Sequence, residues 1–241
     1  MKIFGRSSKQ ADAQTPAQEV TVPDGMISLV KQAAVSLEKH GAGKEKAAVY
    51  LVLDHSGSMD GFYGIGAVQD LAEKALGMSA NLDDDGHVPV VFFESSAHSP
   101  QVVGLDNYQG WVQRAHQSVP YGSTNYGGAM DAVVKHYRKS GAIDPALVIF
   151  QTDGRPDSEA AVERKLREYS AEPIFWFFVG FGSGAGYLNT LPGLSGRTFS
   201  NVGVFQCGAD PQEVSAGSLY EALTMDFARM LGEARAASVL K

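Results

Sequence analysis

From about residue 43 onward, short uninterrupted apolar runs alternate with longer stretches in which apolar side chains recur every three or four residues. The first pattern suits strands covered on both faces of a parallel sheet, and the second suits helices with one buried stripe. The runs are Ala47–Leu53 (AAVYLVL), Val88–Phe93, Ala146–Gln151 (ALVIFQ), Pro173–Val179 and Val202–Gln206, with Ser99–Val103 as a short edge strand. The helical stretches are 66–80, where Val68, Leu71, Ala72, Ala75, Leu76 and Ala80 share a side, then 107–117, 127–139, 157–169 and 216–232. Upstream, Ile27, Val30, Ala34 and Leu37 fall at helical spacing, with Asp24 placed to cap the helix and Gly41 to end it. The text SLVK…VSLEK also fits two short strands, but its spacing favours a helix. Strand–helix alternation of this kind predicts an α/β fold, a Rossmann-like open and mostly parallel sheet with helices on both faces. Ligands of such sheets bind at the carboxyl ends of the strands, near the switch in strand order.

Residues 1–25 are rich in Gln, Ala, Ser, Thr and Pro and are expected to form a flexible N-terminal tail. Residues 26–241 are expected to form one domain that includes an N-terminal helix over 26–40. At 241 residues the chain is long enough for a single large domain that needs no covalent staple. Cys207 is the only cysteine, so an intramolecular disulfide is excluded and a thiolate zinc site is disfavoured. The balance of 20 Lys+Arg against 27 Asp+Glu gives a formal charge of −7, which argues against a general nucleic-acid binder. The start MKIFGRSSKQADAQ has no apolar stretch of a secretory signal, and the longest apolar run, IFWFFVGF from Ile174 to Phe181, is far too short to span a bilayer. A cytoplasmic protein without membrane insertion is expected.

The strongest chemical signal follows the first core strand: Asp54-His55-Ser56-Gly57-Ser58-Met59. A strand ending in D-x-S-x-S sets short oxygen side chains on one tight loop, and such donors suit a small hard cation. Thr124 lies in the Gly-rich turn GSTNYGG before a helix, and Asp153 lies in TDGRPD directly after the strand ALVIFQ. Each piece alone reads more readily as a cap or a turn. Together, in order and each at a predicted sheet edge, they point to one site.

Asp54, Ser56, Ser58, Thr124 and Asp153 match all five positions of the metal-ion-dependent adhesion site, and the sequence resembles the von Willebrand factor A (vWA) domain. VYLVLDHSGSM, AVQDLAEKAL, DDDGHVPVVFFES and LDNYQGWV resemble the tellurium-resistance TerF-type branch, over roughly residues 26–235. Asn125 departs from the small residue that many relatives carry after the Thr. The resemblance implies that Ser56 and Ser58 ligate a metal directly, Thr124 directly or through water, and Asp54 and Asp153 mainly through water and hydrogen bonds. The donor set favours Mg²⁺, with Mn²⁺ as a plausible substitute. The function implied is a divalent-metal-dependent protein-binding module of a bacterial tellurite or stress-response system, with a partner protein presenting an Asp or Glu carboxylate. No positioned general base or nucleophile pair accompanies the motif, so a non-enzymatic role is expected. The alternatives are a metal-assisted hydrolase or phosphotransfer protein using the same cation, and a scaffold whose metal is purely structural.

Other motifs are weaker. NLDDDG at 81–86 imitates an EF-hand loop, but position twelve falls on Phe92, so a solvated turn is expected. VGFGSGAG at 179–186 has no G-x-G-x-x-G register and reads as a flexible loop. Gly61, Gly64 and Gly66 read as a mobile rim loop. His55 occupies a variable motif position and is not counted as a ligand, and Trp176 reads as core.

Overall fold

Successive residues of the central strands feed two separate cores. The computed structural model describes residues 21–83 and 85–241. In strand β1 (Ala48–Asp54), Val49, Leu51 and Leu53 enter one core, while Tyr50 and Val52 enter the other. In β5 (Ile174–Gly180), Phe175, Phe177 and Val179 oppose Ile174, Trp176 and Phe178 in the same way. Alternating Cβ directions put neighbouring residues on opposite faces, so a strand covered on both sides must be apolar throughout. That requirement produces the continuous apolar runs.

The remaining strands are β2 (His87–Phe93), β3 (Gln101–Gly104), β4 (Ala146–Thr152) and β6 (Val202–Gln206), in the sheet order β3-β2-β1-β4-β5-β6. All pairings are parallel except β2 with the edge strand β3. Helices α1 (Asp24–Lys39), α3 (Ala67–Leu82) and α7 (Ala216–Ala236) cover one face, and α5 (Tyr126–Ser140) and α6 (Glu159–Tyr169) cover the other. The architecture is the open, Rossmann-like sheet expected. Strand order reverses at β1, whose neighbours are β2 and β4, so the loops after β1 and β4 open beside each other.

Several local expectations are corrected. The segment before β1 is one helix, and its buried face is Met26, Ala33, Ser36 and Leu37, with Ile27 exposed and Ala34 half-buried. Ser36 is admitted because its hydroxyl lies 2.7 Å from that of Thr224 on α7. Pro23, not Asp24, occupies the cap position, and Asp24 sits in the first turn, where a carboxylate favours the helix dipole. Gly41 follows the helix at φ +73°, a conformation that costs glycine little. The 107–117 helix shrinks to α4 (Trp111–Ala115) plus a 3₁₀ turn at His116–Ser118, because Gly110 enters at φ +58°. Of the rim glycines, Gly61 and Gly64 lie in a short helix, α2 (Asp60–Gly64), after a 3₁₀ turn at Gly57–Met59, and only Gly66 lies in a turn, at φ +83° before α3. The flexible tail expected over residues 1–25 lies, for residues 1–20, outside the described residues. No helix among the described residues is long and apolar enough to cross a membrane.

Candidate functional site

Asp54 ends β1 fully buried at the point where the strand order reverses. Its Oδ1 accepts the Ser56 amide at 2.7 Å, and its Oδ2 accepts the Thr152 hydroxyl at 2.6 Å. The Tyr63 hydroxyl of α2 donates to the Asp54 carbonyl at 2.9 Å. Burial pushes the Asp54 carboxyl up to about 6, against these hydrogen bonds and with a small upward push from the charge of Asp153. The 3₁₀ turn at Gly57–Met59 follows, and Ser56 Oγ lies 3.3 Å from Ser58 Oγ. The Ser58 hydroxyl donates to Asp153 Oδ1 at 2.9 Å. Asp153 follows β4 and is half-buried, and burial raises its pKa against that hydrogen bond. Residues 95 positions apart in sequence thus meet because β1 and β4 are neighbours.

Thr124 arrives by a different route. Its loop is tied to the first one by a bridge between Ser56 and Gly122, with the Gly57 amide donating to the Gly122 carbonyl at 3.2 Å. The Thr124 amide donates to Asp157 Oδ1 at 3.0 Å, and the Ser123 hydroxyl donates to Asp157 Oδ2 at 2.7 Å. Among the described residues the Thr124 hydroxyl has no hydrogen-bond partner. Four of the five residues singled out are therefore linked by hydrogen bonds, and the fifth is held beside them by its backbone. Asn125 caps α5, its side-chain oxygen accepting the Gly128 amide at 2.9 Å.

Three supporting residues were not singled out from sequence. Thr152 and Asp157 act through their neighbours, and the only trace of Asp157 in the sequence is a second Asp closing TDGRPD. His55 is buried, not at the mouth. Its ring stacks on Tyr121 at 4.1 Å, its Nδ1 lies 2.9 Å from the Pro120 carbonyl, and its Nε2 lies 3.3 Å from His116 Nδ1. Burial lowers the pKa of both imidazoles, and His55 braces the Pro120–Gly122 segment from beneath.

Among the described residues, no three His, Cys, Asp or Glu side chains gather in a way that could hold a metal ion. The set that could hold one is of another kind, two carboxylates and hydroxyl oxygens, all hard donors. Ser58 Oγ lies within hydrogen-bond reach of both Ser56 Oγ and Asp153 Oδ1. The remaining motifs are structural. Asp85 accepts the His87 amide at 2.8 Å in the turn before β2, and Trp176 is fully buried. The glycine-rich stretch after β5 becomes a 3₁₀ segment, Gly184–Thr190. A Cβ on Gly184 would stand 2.5 Å from the Asp153 carbonyl oxygen, so this backbone packs directly beneath the site.

Comparison with known families decides the relationship. Residues 46–240 match the vWA-TerF-like family, the vWA domain found in the TerF C terminus. The chain belongs to this family. A curated relative is the uncharacterized protein YcbR of Bacillus subtilis (strain 168), 29% identical over 217 residues and 88% of each chain. Among solved structures, the fold is similar to proximal thread matrix protein 1 of the mussel byssus with a zinc-occupied MIDAS motif (TM-score 0.55, 18% identity, 75% of this chain and 48% of that one). It is also similar to the manganese-loaded Plasmodium vivax TRAP protein (TM-score 0.53, 23% identity, 74% of each chain). The von Willebrand factor type A protein of Catenulispora acidiphila gives 0.53 at 16% identity, over 75% of this chain and 42% of that one. The chain spans less than half the length of the mussel and Catenulispora chains. These likenesses show the vWA fold.

Proposed function

We propose that the chain is a divalent-metal-dependent protein-binding module in which Asp54, Ser56, Ser58, Thr124 and Asp153 hold Mg²⁺, with Mn²⁺ able to substitute. A partner protein supplies an Asp or Glu carboxylate. The observation that carries this reading is the hydrogen-bonded series from Asp54 through Ser56 and Ser58 to Asp153 at the reversal of strand order. It is supported by the zinc-occupied MIDAS of the mussel protein and the manganese carried by TRAP, both on a similar fold. Membership of the vWA-TerF-like family supports a place in a bacterial tellurite or stress response.

Bound there, the cation supplies an electrophilic centre for the partner's carboxylate. The chain's own residues do the rest. Asp54 and Asp153 offset a dication's two charges, and without it they repel any incoming carboxylate. The Ser56 amide and the Thr152 hydroxyl fix both Asp54 oxygens, so the carboxylate is oriented before any metal arrives.

Calorimetry on the chelated protein tests the cation: one Mg²⁺ site is expected, lost in Asp54→Ala. Binding that survives in the Asp54→Ala, Asp153→Ala double variant places the metal elsewhere. A partner captured equally well in Mg²⁺ and in EDTA overturns the docking role.

A further inference from the structure

We infer that a groove leading from this site along α5 receives an extended acidic segment of the partner, whose further carboxylates meet Lys135 and Lys139. The inference rests on the proposed role of the site and adds the class of sequence it selects. The groove, about 610 Å³, lies between segment 95–100 and α5, and its walls include Ser95, His98, Asn125, Lys135, His136 and Lys139. It begins at the site itself: Ser95 Oγ accepts the Ser123 amide at 3.1 Å, and Asn125 is the residue after Thr124.

The charge of the groove is set by what its cations touch. Arg138 of α5 is paired with Glu172, and Lys165 is paired with Asp131. Lys135 and Lys139 are exposed, one helical turn apart, and neither forms an ion pair with another described residue. Asp131 is the one carboxylate among the lining residues, and it is already engaged by Lys165 and Tyr169. Glu94, behind the groove, is buried and accepts the Ser96 hydroxyl at 2.7 Å, with His98 Nε2 3.3 Å away. Two uncompensated positive charges therefore line the groove of a chain whose net charge is −7. An acidic segment is complementary to this strip, although the chain as a whole carries a net negative charge.

Geometry limits the spacing. At about 1.5 Å per helical residue, Lys135 and Lys139 lie roughly 15 and 21 Å along α5 from Asn125. An extended strand advances about 3.3 Å per residue, so the matching carboxylates fall about four to six residues from the one at the metal.

The test uses the full chain in Mg²⁺ and two labelled synthetic peptides of about twelve residues. One carries a single Asp in a Gly/Ser background, and the other carries the same Asp with Glu residues on both sides. Fluorescence anisotropy at low ionic strength should show the Glu-rich peptide binding about five- to ten-fold more tightly, with the gain shrinking as salt rises. Lys135→Gln with Lys139→Gln should remove that gain and leave the single-Asp peptide unchanged. An equal gain in wild type and variant overturns the groove, as does the absence of Glu-rich binding at about 1 mM. Mg²⁺ titration of both proteins separates the two readings. If Mg²⁺ does not bind but the Glu-rich peptide still requires the two lysines, the groove stands and the metal anchor falls. If peptide binding requires Mg²⁺ but ignores the lysines, the reverse holds.

Discussion

Asp157 accepts the Thr124 amide on Oδ1 at 3.0 Å and donates its own amide to the Thr124 carbonyl at 2.9 Å. The second carboxylate oxygen takes the Ser123 hydroxyl. This clasp joins the entry of α6 to the entry of α5 and fixes the one site residue that touches none of the others through its side chain. Asp157→Ala should cost about 1–2 kcal/mol of stability. It should also raise amide hydrogen exchange at Thr124 and weaken Mg²⁺ binding while leaving the sheet intact. An unchanged exchange rate at Thr124 would show that the loop is held by other contacts.

The buried Asp54 carboxylate is a cost to the metal-free fold. Asp54→Asn removes the charge at nearly constant size, and Thr152 can turn its hydroxyl to suit the amide. The chelated variant should be more stable than chelated wild type by about 1–2 kcal/mol at neutral pH, and it should lose Mg²⁺ binding. Urea unfolding in EDTA, paired with calorimetry, checks both. A variant less stable than wild type in EDTA would mean that the charge is compensated by its hydrogen bonds.

The same group sets a pH dependence. With a folded-state pKa of about 6 against an ordinary value of 3.8, native Asp54 holds its proton over a range where the unfolded chain has released it. Stability of the chelated protein should therefore fall as pH rises through that window, the opposite of a salt-bridged carboxylate. Asp153, also raised, adds in the same sense. Melting temperatures in EDTA, compared between wild type and Asp54→Asn, should diverge from about pH 4 to about pH 6. Parallel curves would assign the dependence to other groups.

The match to the family begins at residue 46, yet α1 lies wholly before it. Met26, Ala33 and Leu37 are buried between α3 and α7, and a Cβ on Gly77 of α3 would stand 2.9 Å from Leu29 Cβ. Leu37→Ala should cost about 2–5 kcal/mol, and a chain beginning at Gly43 should melt well below the full chain. Equal melting temperatures would show that α1 is dispensable to the fold.

Legibility followed the range of the physics involved. The central strands β1, β4 and β5 were readable because burial on both faces favours apolar residues at consecutive positions. The D-x-S-x-S loop was also readable, since three of its donors sit within one turn. The face of α1 was readable only in part: Leu37 is buried and Val30 and Ala34 are half-buried, but the neighbouring helices set the final rotation. Contact with α7 turns it so that Ser36 meets Thr224 and Ile27 meets solvent. Nor was the clasp on Thr124 legible, since its hydrogen bonds join residues 33 apart and exist only once α5 and α6 pack side by side. The sequence by itself determined which segments are buried and which oxygens are offered. Only the tertiary structure decided which of those oxygens meet and how each carboxylate is held, because hydrogen bonds between distant segments depend on positions that no local pattern records.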